Sequence, residues 1–172
     1  GSGCIGIMTS IALRAHGINE IFITDVVDSR LKKASEFGPV ITINAMNEDA
    51  IQKVLEKTDG EGVDLVFETA GNLRTQAQTV NFVRKTGMIT FVGFSSGQMV
   101  EYDISTLMRK EANITTVFRY ANQYRKAIRQ LIKSPIELEK IVSHVYPLEN
   151  LKEALDENLR DKENVIKAVI QI

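Results

Sequence analysis

The sequence predicts an α/β protein built on a doubly wound parallel sheet, and three observations carry that prediction. The chain opens on Gly1-Ser2-Gly3-Cys4-Ile5-Gly6, a G-x-G-x-x-G loop that runs directly into a helix-patterned stretch. Short β-branched runs then alternate with amphipathic helical runs as far as Phe118, a rhythm that implies right-handed βαβ crossovers and a sheet covered on both faces. The residues best suited to holding a ligand fall at the carboxyl ends of the predicted strands, where such sheets bind.

Each element has its own signal. Ile5, Met8, Ala12 and Ala15 recur at helical spacing until Gly17 stops the run. Residues 21–24 read as a buried strand ending in Asp25, and Asp28 is expected to cap a helix through Arg30, Leu31, Ala34 and Phe37, stopped by Gly38-Pro39. A short strand over residues 40–43 precedes a helix that starts at Asn47-Glu48-Asp49 and buries Ala50, Ile51, Val54 and Leu55. Residues 62–68 form the next predicted strand, and Asn72 caps a helix to about Arg84. Gly87 introduces a strand over residues 88–92, a short helix follows Asp103, and residues 114–118 close the series.

Beyond Ala121 the rhythm changes. A helix over residues 123–132 meets Ser134-Pro135, then come a strand-like stretch at 141–146, a helix opened by Pro147-Leu148-Glu149, and a final strand at 165–170. Residues 1–121 are therefore expected to form one domain and residues 122–172 a segment of another.

Glycine at the three loop positions lets the chain turn, lets backbone approach a pyrophosphate, and lets the helix pack closely on the sheet. The phosphates would sit on the unpaired N–H groups of the helix N-terminus. An acid follows 19 residues after Gly6, at Asp25, placed to accept hydrogen bonds from both adenosine ribose hydroxyls and to repel the extra phosphate of NADP. No strand precedes Gly1. Gly1-Ser2-Gly3 has the composition of an appended linker, but its register with Gly6 and Asp25 favours natural sequence, and a natural start upstream is expected.

Composition narrows the classes. A length of 172 residues suits one well-cored domain with a satellite, and 44% hydrophobic and 25% charged residues are ordinary for a soluble protein. A net charge of −1 gives no general attraction to nucleic acid or an anionic membrane, so a phosphate must be held locally. One cysteine excludes an internal disulfide and suits the cytoplasm. No apolar run approaches the ~20 residues of a membrane span.

Taken together, these motifs resemble the medium-chain dehydrogenases, and within them the zinc-dependent sorbitol and polyol branch. The similarity covers essentially the whole chain. It rests on the glycine loop, Thr24-Asp25, Asp28-Ser29-Arg30-Leu31, Glu68-Thr69-Ala70-Gly71, Phe91-Val92-Gly93-Phe94 and Pro147-Leu148-Glu149. Val117-Phe118-Arg119-Tyr120-Ala121-Asn122 looks like the polyol branch in particular. Cys4 stands where that family usually has Pro or Val.

The resemblance implies a Rossmann domain over 1–121 and, over 122–172, part of a GroES-like catalytic domain. It implies hydride transfer between NAD and a polyol or secondary alcohol, with zinc as Lewis acid only in the full-length enzyme, since the family's zinc ligands lie upstream. The fragment itself is expected to bind NAD and catalyse nothing. Gly1, Gly3, Cys4, Ile5 and Gly6 would contact the phosphates, Arg30 the adenine face, and Thr69, Ala70, Val92, Gly93 and Phe94 the nicotinamide. Phe118 and Arg119 would reach cofactor or substrate. His16 and His144 lie far apart without a metal-ligand pattern. Pairing through residues 114–118 would make a dimer or tetramer.

Three other readings stay open: an S-adenosylmethionine-dependent methyltransferase, a zinc-independent quinone reductase using NADPH, and a non-catalytic nucleotide-sensing module. Asp25 followed by Val26-Val27, with no base beside it, argues against NADPH.

Overall fold

The computed structural model describes residues 1–95, 99–132 and 137–172. The glycine loop enters α1 (Cys4–Ala15) at once, with Gly3 at its N-cap. The first unit continues through β1 (Phe22–Asp25), α2 (Asp28–Ser35), β2 (Ile41–Asn44), α3 (Ala50–Lys57), β3 (Val63–Glu68), α4 (Leu73–Phe82), β4 (Val83–Phe91), α5 (Ile104–Lys110) and β5 (Asn113–Thr116). The predicted alternation is present. Side-chain caps explain several starts: Asp49 accepts from Ile51 and Gln52, Asn72 from Arg74, and Asp103 from Thr106.

Among the described residues every strand pairing is parallel, and the strands fall into three separate sheets. β1 pairs β2 from Phe22–Ile41 to Asp25–Asn44, and β4 lies between β3 and β5. A cavity of about 490 Å³ separates the two ladders, lined on one side by Phe22, Ile23 and Thr24 and on the other by Leu65, Val66 and Phe67. The single continuous sheet expected from the sequence is thus divided between β1 and β3. Ile7, Ile11, Ile23, Leu31, Ala34 and Phe37 make one buried cluster under α1 and α2, while α3 packs against α4.

Several boundaries differ from expectation. Val27, not Asp28, is the N-cap of α2; Asp28 lies in its first turn and accepts from Asn44 Nδ2 at 2.6 Å. The helix after Asn72 stops at Phe82 rather than Arg84, because Val83 already pairs with Val63. Gly87 lies inside that strand, buried, where a methyl group would sit 2.8 Å from Asp64 O. The last strand of the series ends at Thr116, although Val117 N still reaches Phe91 O at 2.8 Å.

After α6 (Tyr124–Ile132), the Ser134-Pro135 break lies outside the described residues. The stretch read as a strand from residue 141 begins as a 3₁₀ turn (Leu138–Ile141), and β6 covers only His144–Pro147. The reason is packing: Ile141 is 8% exposed and plugs the α1/α2 cluster. Pro147-Leu148-Glu149 opens a 3₁₀ turn (Leu148–Asn150) before α7 (Leu151–Arg160). β7 (Ala168–Gln171) pairs in parallel with β6, and Val165, expected in the strand, is buried ahead of it. No helix among the described residues is long and apolar enough to cross a membrane.

Candidate functional site

The carboxyl ends of β1 and β3 meet at the glycine loop. Ser2 donates its backbone N–H to Asp25 Oδ2 at 2.7 Å, and Thr69 Oγ1 donates to Gly1 O at 3.1 Å. A methyl group on Gly6 would lie 1.9 Å from Gly1 O and 3.2 Å from Thr69 Oγ1. The third glycine is therefore required by the close crossing of the loop over the end of β3. Gly3 has open space instead, its nearest neighbour being Arg30 Nη1 at 3.9 Å. That space lies at the N-terminus of a 12-residue helix, whose first N–H groups, from Cys4, Ile5 and Gly6, have no partner within the helix.

Asp25 is half-buried, and burial works to raise its pKa. The backbone N–H groups of Ser2, Val26 and Val27 outweigh that and hold it below the ordinary carboxylate value. Val26 and Val27 both donate to Oδ1, at 2.8 and 3.1 Å. Of the roughly four acceptor positions of a carboxylate, three are filled, and the remaining one is on Oδ2. Beside it Ser2 Oγ is buried without a hydrogen-bond partner.

Arg30 stands next to Gly3, and its Nε donates to Lys162 O at 2.5 Å. Ser29 Oγ bonds Glu163 O at 2.6 Å. The C-terminal segment is thereby fastened beside the loop, a contact that no local pattern in the sequence announces.

The other predicted residues gather into a continuous wall. Gly1 abuts Ala70, Gly71 packs on the Phe94 backbone, and the Phe94 ring lies 5.7 Å from that of Phe118. The Arg119 guanidinium rests over Phe118 at 5.2 Å. Val92 and Gly93 both donate their N–H groups to Glu68 O at 2.8 Å.

In the sequence Glu68 stands as the end of a strand and as the first residue of the family pattern Glu68-Thr69-Ala70-Gly71, with no role of its own. Yet its side chain is 4% exposed and accepts from Ala70, Gly71 and Thr75. The available signal was an acid closing the apolar run Leu65-Val66-Phe67 just before Thr69-Ala70-Gly71.

Among the described residues no three His, Cys, Asp or Glu side chains come together where they could hold a metal ion. His16 Nδ1 is engaged with Ala12 O at 2.8 Å, and the His144 ring stacks on Tyr146. The described residues do not fit a zinc site.

Residues 4–133 match the family model described as zinc-binding dehydrogenase. An uncharacterised zinc-type alcohol dehydrogenase-like protein of Escherichia coli K12 is 36% identical over 172 residues, covering 100% of this chain and 49% of its own length. Sorbitol dehydrogenase of Bacillus subtilis is 31% identical over 170 residues, 99% of this chain and 48% of its own. A crystal structure of an E. coli oxidoreductase/dehydrogenase of unknown specificity superposes with a TM-score of 0.92 at 32% identity, over 100% of this chain and 50% of that one. The chain spans about half the length of the curated relatives it matches.

Proposed function

The chain belongs to the zinc-binding dehydrogenase family, and on that premise we propose that it is the NAD(H)-binding portion of a zinc-dependent alcohol or polyol dehydrogenase, inactive by itself. The observation that carries this reading is the Ser2–Asp25 hydrogen bond, which sets a carboxylate beside the open N-terminus of α1.

NAD, when bound, supplies the hydride acceptor. Asp25 Oδ2 takes a ribose hydroxyl, and its negative charge opposes the 2′-phosphate of NADP. The N–H groups of Cys4, Ile5 and Gly6 meet the pyrophosphate at the positive end of the helix. Gly1 and Gly3 let that backbone come close, and Arg30 lies on the adenine side. Thr69, Ala70, Val92, Gly93 and Phe94 line the nicotinamide, with Phe118 and Arg119 at its outer edge. No step is assigned to zinc in this chain.

Residues 1–121 form the dinucleotide domain in this reading, and 122–172 belong to the catalytic domain of the whole protein. That protein oxidises a polyol or secondary alcohol in the cytoplasm as a homo-oligomer. Self-association through the outer edge of β5, whose four residues are exposed, is checked by sedimentation; a mass that stays monomeric at all concentrations would rule it out for this chain.

The test of the binding function is calorimetric titration with NADH, NADPH and S-adenosylmethionine. NADH is expected to bind tightest. Preferential binding of S-adenosylmethionine would overturn the reading in favour of a methyltransferase.

A further inference from the structure

We propose that Glu68 is a positioning residue for the nicotinamide half of the cofactor, a role that rests on the dinucleotide reading above. A buried carboxyl is costly unless hydrogen bonds satisfy it. Glu68 is 4% exposed and, among the described residues, no lysine, arginine or histidine forms an ion pair with it. Its compensation comes from the loop it precedes. Oε1 accepts from Ala70 N at 2.9 Å, Gly71 N at 3.1 Å and Thr75 Oγ1 at 2.8 Å, and Oε2 from Gly71 N at 3.2 Å.

The backbone of the same residue holds the neighbouring strand end. Glu68 O accepts from both Val92 N and Gly93 N. The fit is close: a methyl group on Gly93 would lie 2.2 Å from Gly71 N and 2.6 Å from Glu68 Oε2. A methyl on Gly71, whose φ is +65°, would lie 2.8 Å from Phe94 O.

One residue thus ties three segments together: its side chain fixes the loop after β3 against the first turn of α4, and its backbone carbonyl holds the end of β4 beside them. These are the segments that carry Thr69, Ala70, Val92, Gly93 and Phe94. The hydrogen bonds of Glu68 run to residues 70–93 and none runs to Asp25 or α1, which hold the adenosine half. An apolar residue would fill the same volume without needing donors. A carboxyl specifies where two loop amides stand, and reacting geometry depends on backbone placement of that accuracy.

The test compares NADH with ADP-ribose, which lacks only the nicotinamide, by calorimetry on the whole chain. In the unaltered protein NADH is expected to bind more tightly. Glu68→Ala is expected to weaken NADH by about ten-fold, bringing it close to ADP-ribose, whose own affinity stays within about two-fold. Glu68→Gln keeps an oxygen for the three Oε1 bonds and is expected to retain most of the NADH preference.

If Glu68→Ala does not fold, Thr75→Val removes one donor to Oε1 from outside the cleft and is expected to show a smaller, NADH-selective loss. Equal weakening of both ligands, or of neither, would overturn the role. An unaltered chain that binds neither ligand takes the dinucleotide reading down, and this assignment with it.

Discussion

Ser2 N–H and Asp25 Oδ2 lie 2.7 Å apart across 23 residues of sequence, so the loop and the end of β1 hold each other in place. Asp25→Ala removes the acceptor offered to the ribose, and a hydrogen bond to a charged group is worth about 1.5–3 kcal/mol. NADH affinity is expected to drop about ten- to hundred-fold, measured by calorimetry. An unchanged affinity would remove Asp25 from the site.

The same carboxyl gives an acid dependence. Its native pKa lies below the ordinary value, because N–H donors outweigh burial. The unfolded chain therefore takes up the proton first. The stabilisation is fully present above the unfolded pKa, about 3.9, and is lost as pH falls through the lower native value. Melting temperature is expected to fall below about pH 4, and less steeply in Asp25→Asn. Asp103 and Asp161 are shifted in the same direction by their own hydrogen bonds, so some slope persists in the variant.

Gly3 and Gly6 separate binding from folding. A methyl on Gly3 meets nothing nearer than 3.9 Å, whereas one on Gly6 would lie 1.9 Å from Gly1 O. Gly3→Ala is expected to cost under about 1 kcal/mol of stability, as an N-cap change, while blocking the approach of phosphate. Gly6→Ala is expected to cost about 3 kcal/mol of stability or more, on the scale of severe overpacking. Urea unfolding and NADH titration of both variants distinguish the two effects.

Lys110 is expected to matter for stability alone. Its ammonium donates to Val80 O at 2.9 Å and Val83 O at 2.6 Å, at the place where α4 passes into β4 without a loop. The Val80 carbonyl is one of the last four of α4, which have no partner within the helix. Lys110→Met keeps the stem and removes the donors, with an expected loss of about 1–2 kcal/mol in urea unfolding. An unchanged midpoint would mean that water serves those carbonyls as well.

What could be read from the residues follows from how local each signal is. Signals that act within a few positions are the legible ones: the glycine loop runs into a helix and Asp25 closes a strand, Asn72 caps the helix expected after it, and Asp49 and Asp103 cap at helix starts that the local pattern marks. Strand length is less legible, because residues 114–118 and 141–146 are rich in β-branched and aromatic side chains while pairing depends on neighbours distant in sequence. Ile141 shows why: its buried position belongs to the α1/α2 cluster, and its strand propensity yields to that packing. The pattern Glu68-Thr69-Ala70-Gly71 marks Glu68 but not what it holds, since its donors include a helix residue seven positions on. The bonds from Ser29 and Arg30 to residues 162–163 span more than 130 positions and leave no trace in spacing.

The division between β1 and β3 bears on how the molecule opens. Among the described residues no backbone rung crosses it, so in this chain amide exchange in the ladder of β1 and β2 can proceed while β3, β4 and β5 stay closed, as two cooperative units instead of one. A dinucleotide held by Asp25 at one end and by the segments around Gly93 at the other would bridge the two. Its arrival would merge them, slowing exchange on both sides at once.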